Sequence, residues 1–173
     1  MDYLTKIYFR PFYIYRDEKS IEIDTGKQKP KYKLFWNFHR YFDEVLLFLI
    51  STKNEAAVSN GLYISVDSTE WKTNIDPKKF LTKTSFISIK KVQVENIEEL
   101  KKKREQNTFY CVAQLPESKH NDITQCYLNF LKKQKNISPR DRNNLLSLTD
   151  CIPQQICIDD KTQEFINKYL KNA

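Results

Sequence analysis

The sequence contains very few glycines. Among its 173 residues only Gly26 and Gly61 are glycine. A P-loop needs two glycines within one short motif and a dinucleotide-binding fingerprint needs three, because only glycine lets backbone N–H groups close on phosphate oxygens. The chain also lacks the G-x-S-x-G motif of serine hydrolases. These absences exclude Gly-rich nucleotide-binding loops, and they argue against phosphoryl transfer from nucleoside triphosphates and serine-hydrolase chemistry.

Histidines and closely spaced cysteines are also scarce. The two histidines, His39 and His120, are far apart in sequence, and the chain has no C-x-x-C pair. Structural zinc usually takes its ligands in closely spaced pairs, so we expect neither a metal site nor a cofactor. The four cysteines lie in apolar or mixed surroundings: Cys111, Cys126, Cys151 and Cys157. This usage favours a reduced, cytoplasmic protein.

Long hydrophobic runs are absent. The longest apolar run covers residues 45–50, whereas a membrane-spanning helix needs about 20 apolar residues. The first fifteen residues lack the basic and then apolar order of a signal peptide. The sequence therefore predicts no membrane association, and it predicts that the run at 45–50 is a buried strand.

The first two-thirds of the chain has the alternating pattern of strands. Apolar and polar residues alternate in several segments that are separated by short polar connections. Residues 86–94 change phase at Lys90 and Lys91, which predicts a β-bulge where a sheet curls. We predict strands at residues 6–15, 20–24, 32–41, 45–50, 61–67, 86–94 and 108–115.

The C-terminal third has the pattern of helices. Residues 97–105 have acids first and bases later, the order that the helix dipole favours. Apolar residues at helical spacing predict helices at 122–133 and from 159 or 160 onward, and Ser138 with Pro139 opens another to about 148. The chain is thus expected to be one α+β domain over residues 1–173. Residues 1–115 would form a small curled antiparallel sheet or SH3-like barrel, and residues 116–173 a mostly helical extension.

Polar residues follow directly on the most hydrophobic strand. Ser51, Thr52 and Lys53 come where the run at 45–50 ends. Two hydroxyls and an ammonium at the rim of a rigid strand would suit metal-free RNA cleavage, which needs groups that transfer protons and stabilise phosphate charge. The same residues are also what an ordinary polar turn after a strand contains.

Three segments carry a resemblance to a known family. Residues 48–53 read FLISTK, residues 62–66 read LYISV, and residues 80–89 read FLTKTSFISI. These segments resemble the middle of the MazF/PemK-like and ToxN-like endoribonuclease toxins. In those small barrels an apolar strand ends in a hydroxyl pair, and a later segment carries a serine before entering a strand.

The resemblance implies a metal-independent endoribonuclease of toxin type that acts on single-stranded RNA. Ser51 and Thr52 would hold the scissile phosphate, Lys53 would stabilise its charge, and Ser85 lies at the matching later position. The resemblance also implies an antitoxin partner, either protein or RNA, and a homodimer. We infer from strand alternation that His39 or Arg40 supplies the acid or base, although His39 also fits an ordinary half-buried histidine.

Basic residues give separate evidence for a nucleic-acid partner. The formal net charge is +7, and lysines cluster near residues 27–33, 78–83 and 101–104. With nearby aromatic residues such a surface would track a phosphate backbone and stack bases, although lysine runs are also common on plain solvated faces. The predicted contacts are Lys31, Lys33, Arg40, Trp71, Lys79 and Lys83. The alternative function is a non-catalytic nucleic-acid- or protein-binding module of a phage or mobile element.

Overall fold

Seven antiparallel strands form one sheet that curls into a half-barrel. The computed structural model describes residues 11–22, 25–38, 44–51, 63–73, 75–149 and 160–171. The strands are β1 (Tyr13–Asp17), β2 (Lys31–Phe38), β3 (Glu44–Ser51), β4 (Tyr63–Val66), β5 (Lys72–Thr73), β6 (Ser85–Asn96) and β7 (Phe109–Gln114). Their order across the sheet is β4-β6-β3-β2-β1-β7-β5.

The described part of the chain contains four helices, of which three contact the sheet and the last packs mainly on the second and third. They are α1 (Ile97–Glu105), α2 (His120–Lys132), α3 (Pro139–Thr149) and α4 (Asp160–Lys171), with short 3₁₀ turns at Pro77–Lys79 and Glu117–Lys119. The side chain of Asn96 accepts hydrogen bonds from the backbone N–H groups of Glu98 and Glu99 and so begins α1. Ser138 Oγ accepts a hydrogen bond from Asp141 N at 3.0 Å at the start of α3. None of the helices in the described part of the chain is long and apolar enough to cross a membrane.

The two faces of the sheet carry separate apolar clusters. On β2, Leu34 and Trp36 belong to the larger cluster, which α2, α3 and α4 cover, whereas Phe35 points to the other face. That second face packs against α1 through Ile97 and Leu100. Strand alternation sends successive side chains to opposite faces, so a central strand with both faces buried is apolar almost throughout.

A wide bulge bends β6. Phe48 of β3 pairs with Val92, but Ile50 pairs with Ile87, so two steps along β3 match five steps along β6. The extra residues of the bulge reverse the phase of the strand. Ile87 and Val92 therefore both contact the larger cluster, and the sheet curls at this point.

The structure confirms the predicted α+β class with a curled antiparallel sheet and C-terminal helices. The phase change at Lys90 and Lys91 does mark a bulge, and all four helices lie within a few residues of their predicted limits. The prediction of a strand at 20–24 is wrong for the described residues 20–22, where a single bridge joins Ile21 to Gln28. The strand β5 was not expected. The predicted strand residues 6–10 and 39–41 lie outside the described residues.

Candidate functional site

Ser51 ends β3 in a row of side chains that crosses the sheet. It pairs with Phe86 of β6, and Phe86 pairs with Ser65 of β4. On the other side of β3, Tyr32 pairs with Ile50, and the next residues at this end of the two strands are Lys31 and Ser51. Residues directly opposite each other share one face of a sheet. Phe86 and Ser65 therefore share the face of Ser51, and Lys31, a predicted nucleic-acid contact, lies at the same end of the β2–β3 pair.

Ser85 lies on the opposite face from Ser51. It pairs with Val66 of the larger cluster, one residue before Phe86, and it is fully buried. Its hydroxyl donates a hydrogen bond to the carbonyl oxygen of Lys83 at 3.2 Å. Ser51 is half-buried. The two serines therefore lie at the same end of the β3–β6 pair but do not share a face.

Four predicted site residues lie outside the described part of the chain. They are His39, Arg40, Thr52 and Lys53. His39 and Arg40 follow the end of β2, and Thr52 and Lys53 follow the end of β3.

Lys33 is the centre of a buried charge cluster on the α1 side of the sheet. Its ammonium donates to Asp17 Oδ2 at 2.8 Å and also to Glu95 Oε1. Lys103 of α1 donates to the same Asp17 oxygen at 3.0 Å and lies 3.7 Å from Glu95 Oε2. The side chain of Asp17 is 0% exposed and that of Lys33 is 4% exposed. A contact between Lys33 and RNA would therefore require its ammonium to leave two carboxylates.

The charge cluster holds Asp17 in its ionised form. Burial by itself raises the pKa of a carboxyl group, but hydrogen bonds and charge from Lys33 and Lys103 outweigh it and lower the pKa of Asp17 below 3.8. The second oxygen of Asp17 accepts a hydrogen bond from Lys19 N at 3.1 Å. Two ammonium groups thus face two carboxylates, and the four charges balance one another.

A groove of about 760 Å³ opens beside this cluster. Lys33, Glu95 and Lys103 line one part of it, and Tyr127, Asp141 and Asn144 line another. Tyr127 Oη donates to Asp141 Oδ1 at 2.7 Å and accepts a hydrogen bond from Asn144 Nδ2 at 3.3 Å. The groove therefore has hydrogen-bonding and charged walls, but its strongest charges are already paired within the protein.

The other predicted nucleic-acid contacts differ in accessibility. Lys79 and Lys83 are exposed, whereas Trp71 is 7% exposed and packs edge-on against Phe80 with ring centroids 5.7 Å apart. Lys31 is partly exposed and lies 3.7 Å from Glu22. Of these side chains, Lys79, Lys83 and Lys31 can reach a ligand at the surface, and Trp71 contributes to the core.

Sequence reasoning missed the three residues that accompany Lys33 in the charge cluster. Asp17, Glu95 and Lys103 come from three elements that are distant in the sequence, and no spacing motif links them. The one available signal was Lys33, a charged residue within an otherwise apolar strand segment, which indicates a buried partner. Within the described residues no three His, Cys, Asp or Glu side chains are grouped so that they could hold a metal ion.

The described side chains can hold an anion more readily than they can transfer protons. Ser51 and Lys31 lie at the same end of the β2–β3 pair, and a hydroxyl together with an ammonium suits a phosphate oxygen. A comparison with protein-family models found no matching family, and a comparison with curated proteins found no match.

Proposed function

We propose that this protein is a metal-independent endoribonuclease that cleaves single-stranded RNA at the end of β3. The observation that carries the proposal is the adjacency of the three segments that resemble endoribonuclease toxins. They contribute β3, β6 and β4, which are neighbours in the sheet although they are separated in sequence. The serine that follows the apolar run lies at the same end of the β2–β3 pair as Lys31.

The proposed chemistry is attack of the ribose 2′-oxygen on the adjacent phosphate. A base removes the 2′-hydroxyl proton, a cation stabilises the phosphate oxygens, and an acid protonates the leaving 5′-oxygen. In this proposal Ser51 and Thr52 bind the scissile phosphate, and Lys53 and Lys31 stabilise its charge. Phe38, which precedes His39, pairs with Val45, six residues and about 20 Å along β3 from Ser51, so proton transfer is assigned to neither His39 nor Arg40.

The test is incubation of the purified full-length chain with labelled single-stranded RNA in the presence of EDTA. We expect discrete cut products, because no metal takes part in the proposed reaction. The double variant Thr52→Ala/Lys53→Ala should lower the cleavage rate at least about 100-fold, since it removes both a phosphate contact and a cation. Circular dichroism of each variant checks that the fold is retained.

Ser65→Ala is the matched control. Ser65 lies in the same row as Ser51, on the far side of Phe86, so its loss should leave the cleavage rate near that of the wild type while Ser51→Ala lowers it. Undiminished cleavage by the Thr52→Ala/Lys53→Ala variant would contradict the site. Salt-sensitive retention of RNA without any cleavage by the wild type would favour the alternative, a non-catalytic nucleic-acid-binding module.

A further inference from the structure

A second basic region lies where α2 ends, α3 begins and α4 packs beside them. We call it the Lys132 surface, and its cations are Lys132, Lys133, Lys135, Arg142 and Lys168. Among the described residues, none of these five cations lies within 4 Å of a carboxylate oxygen. Five unneutralised cations on one surface attract a polyanion.

The Lys132 surface is concave rather than flat. One pocket of about 390 Å³ is lined by Lys132, Lys135, Arg142 and Tyr169, together with residues of the α2–α3 connection. A second pocket of about 300 Å³ is lined by Lys132, Phe165, Lys168 and Tyr169. Among the described residues that line the two pockets there is no Asp or Glu. A bound anion would therefore meet cations from more than one side and no opposing carboxylate.

Aromatic rings lie directly beside these cations. The Lys132 ammonium is 3.7 Å from the centroid of the Phe165 ring and 5.9 Å from that of Tyr169. Both rings are only partly buried. Cations that follow a backbone, combined with aromatic faces on which bases stack, are typical of sites for single-stranded nucleic acid. A plain acidic peptide would need the cations but not the rings.

A shallow groove leads from this surface toward the sheet. It measures about 590 Å³ and is lined by Ile64 of β4 and by residues of α2 that include Lys132 and Lys133. Asp122 is the one carboxylate among its described lining residues. Ile64 is two residues along β4 from Val66, which pairs with Ser85 at the strand end. The groove thus runs from the Lys132 surface to the α2 side of β4, whereas Ser51 lies on the opposite face of the sheet.

We propose that the Lys132 surface binds the phosphate backbone of single-stranded RNA, with Phe165 and Tyr169 contacting its bases. The inference rests on the proposed function for the choice of RNA as the strand, but it does not require that the RNA is cut. Lys132 and Lys133 line the shallow groove beside α2. In this proposal Lys135 and Arg142 contact phosphates farther along the RNA strand.

The test is fluorescence anisotropy of the full-length chain with a fluorescein-labelled 2′-O-methyl oligouridylate of about 12 nucleotides. This probe has no free 2′-hydroxyl, so it cannot be cleaved by the proposed reaction. Lys135→Ala/Arg142→Ala should raise Kd at least about tenfold and lower the slope of log K against log salt by about 1.4. The control Lys19→Ala/Lys72→Ala removes two exposed cations from elsewhere and should change Kd less than about twofold.

Unchanged affinity in Lys135→Ala/Arg142→Ala, or an equal loss in the control, would overturn the inference. The inference would also fail if a polyglutamate peptide of equal charge displaced the probe as effectively as unlabelled oligouridylate does. If the wild type binds the probe through this surface but does not cut RNA in EDTA, the proposed function fails and the Lys132 surface stands. If it cuts RNA but the variant binds the probe normally, only the Lys132 surface fails.

Discussion

Lys33 donates a hydrogen bond from Nζ to Asp17 Oδ2 at 2.8 Å, and both side chains are buried between the sheet and α1. The pair joins neighbouring strands, because Asp17 ends β1 and Lys33 lies near the start of β2. Lys103 brings α1 to the same oxygen of Asp17. One carboxylate thus links two strands and a helix, and Asp17 is also the cross-strand partner of Lys31.

Asp17→Asn should destabilise the protein by about 3 kcal/mol, because breaking a buried ion pair leaves the remaining charge poorly compensated. Lys33 would keep only Glu95 as a charged partner. Urea unfolding followed by circular dichroism measures the free energy of unfolding. Glu22→Gln is the control, since Glu22 pairs with Lys29 and Lys31 at the surface and its loss should have little effect. Similar losses in the two variants would refute a special role for Asp17.

His120 should make the protein less stable as the pH falls from about 7 to 5. Burial lowers the pKa of His120 below 6.5, outweighing the backbone carbonyl of Leu115 and the charge of Glu117, which raise it. A depressed histidine pKa means that the unfolded chain binds the proton first, so stability is present above the unfolded pKa and is lost as the pH falls. Unfolding free energies measured across this range test the slope.

The packing of His120 offers a control for this pH dependence. Its ring stacks on Phe12 with centroids 3.9 Å apart, so His120→Phe keeps an aromatic ring but cannot be protonated. This variant should lose the part of the slope that His120 contributes. NMR titration of the His120 ring should give a pKa below the ordinary value, and a pKa at or above it would contradict the prediction.

Tyr127→Phe should cost about 1.5 kcal/mol of stability, since it removes a hydrogen bond to a carboxylate and leaves Asn144 without its acceptor. The ring itself would stay packed against Trp36, whose centroid is 4.9 Å away. Tyr63→Phe is the matched control, because in the described structure the Tyr63 hydroxyl has no hydrogen bond. Equal urea midpoints for both variants would show that the network around Asp141 contributes nothing.

Much of the fold was predictable because its signals are local. Alternation predicted β2, β4 and β7, and the apolar run at 45–50 predicted β3. The order of acidic and basic residues predicted α1, and Ser138 followed by Pro139 predicted α3. The phase change at Lys90 and Lys91 predicted the bulge of β6. The strand prediction at 20–24 rested on two alternating isoleucines, which is a weak pattern. In the structure Ile21 is 66% exposed and forms an isolated bridge.

The candidate site was predictable only in part. Ser51 is recognisable from the sequence because it follows an apolar run, but its neighbour Lys31 depends on strand pairing. Residue type alone predicted Trp71 and Lys33 as nucleic-acid contacts. In the structure Trp71 packs against Phe80, and Lys33 is paired with two carboxylates. Burial depends on which elements pack together, and composition does not contain that information.

The sequence by itself determined the class of the protein: too few glycines for phosphate loops, an α+β order of elements, and a hydroxyl-rich strand end. Only the tertiary structure decided which charges are available to a ligand. Curling of the sheet brings Asp17, Lys33, Glu95 and Lys103 together and neutralises them. Packing of α2, α3 and α4 instead gathers cations that no described carboxylate neutralises around Lys132. Lysines look alike in a sequence, and their distance from a carboxylate decides whether they bind the protein's own charges or those of a partner.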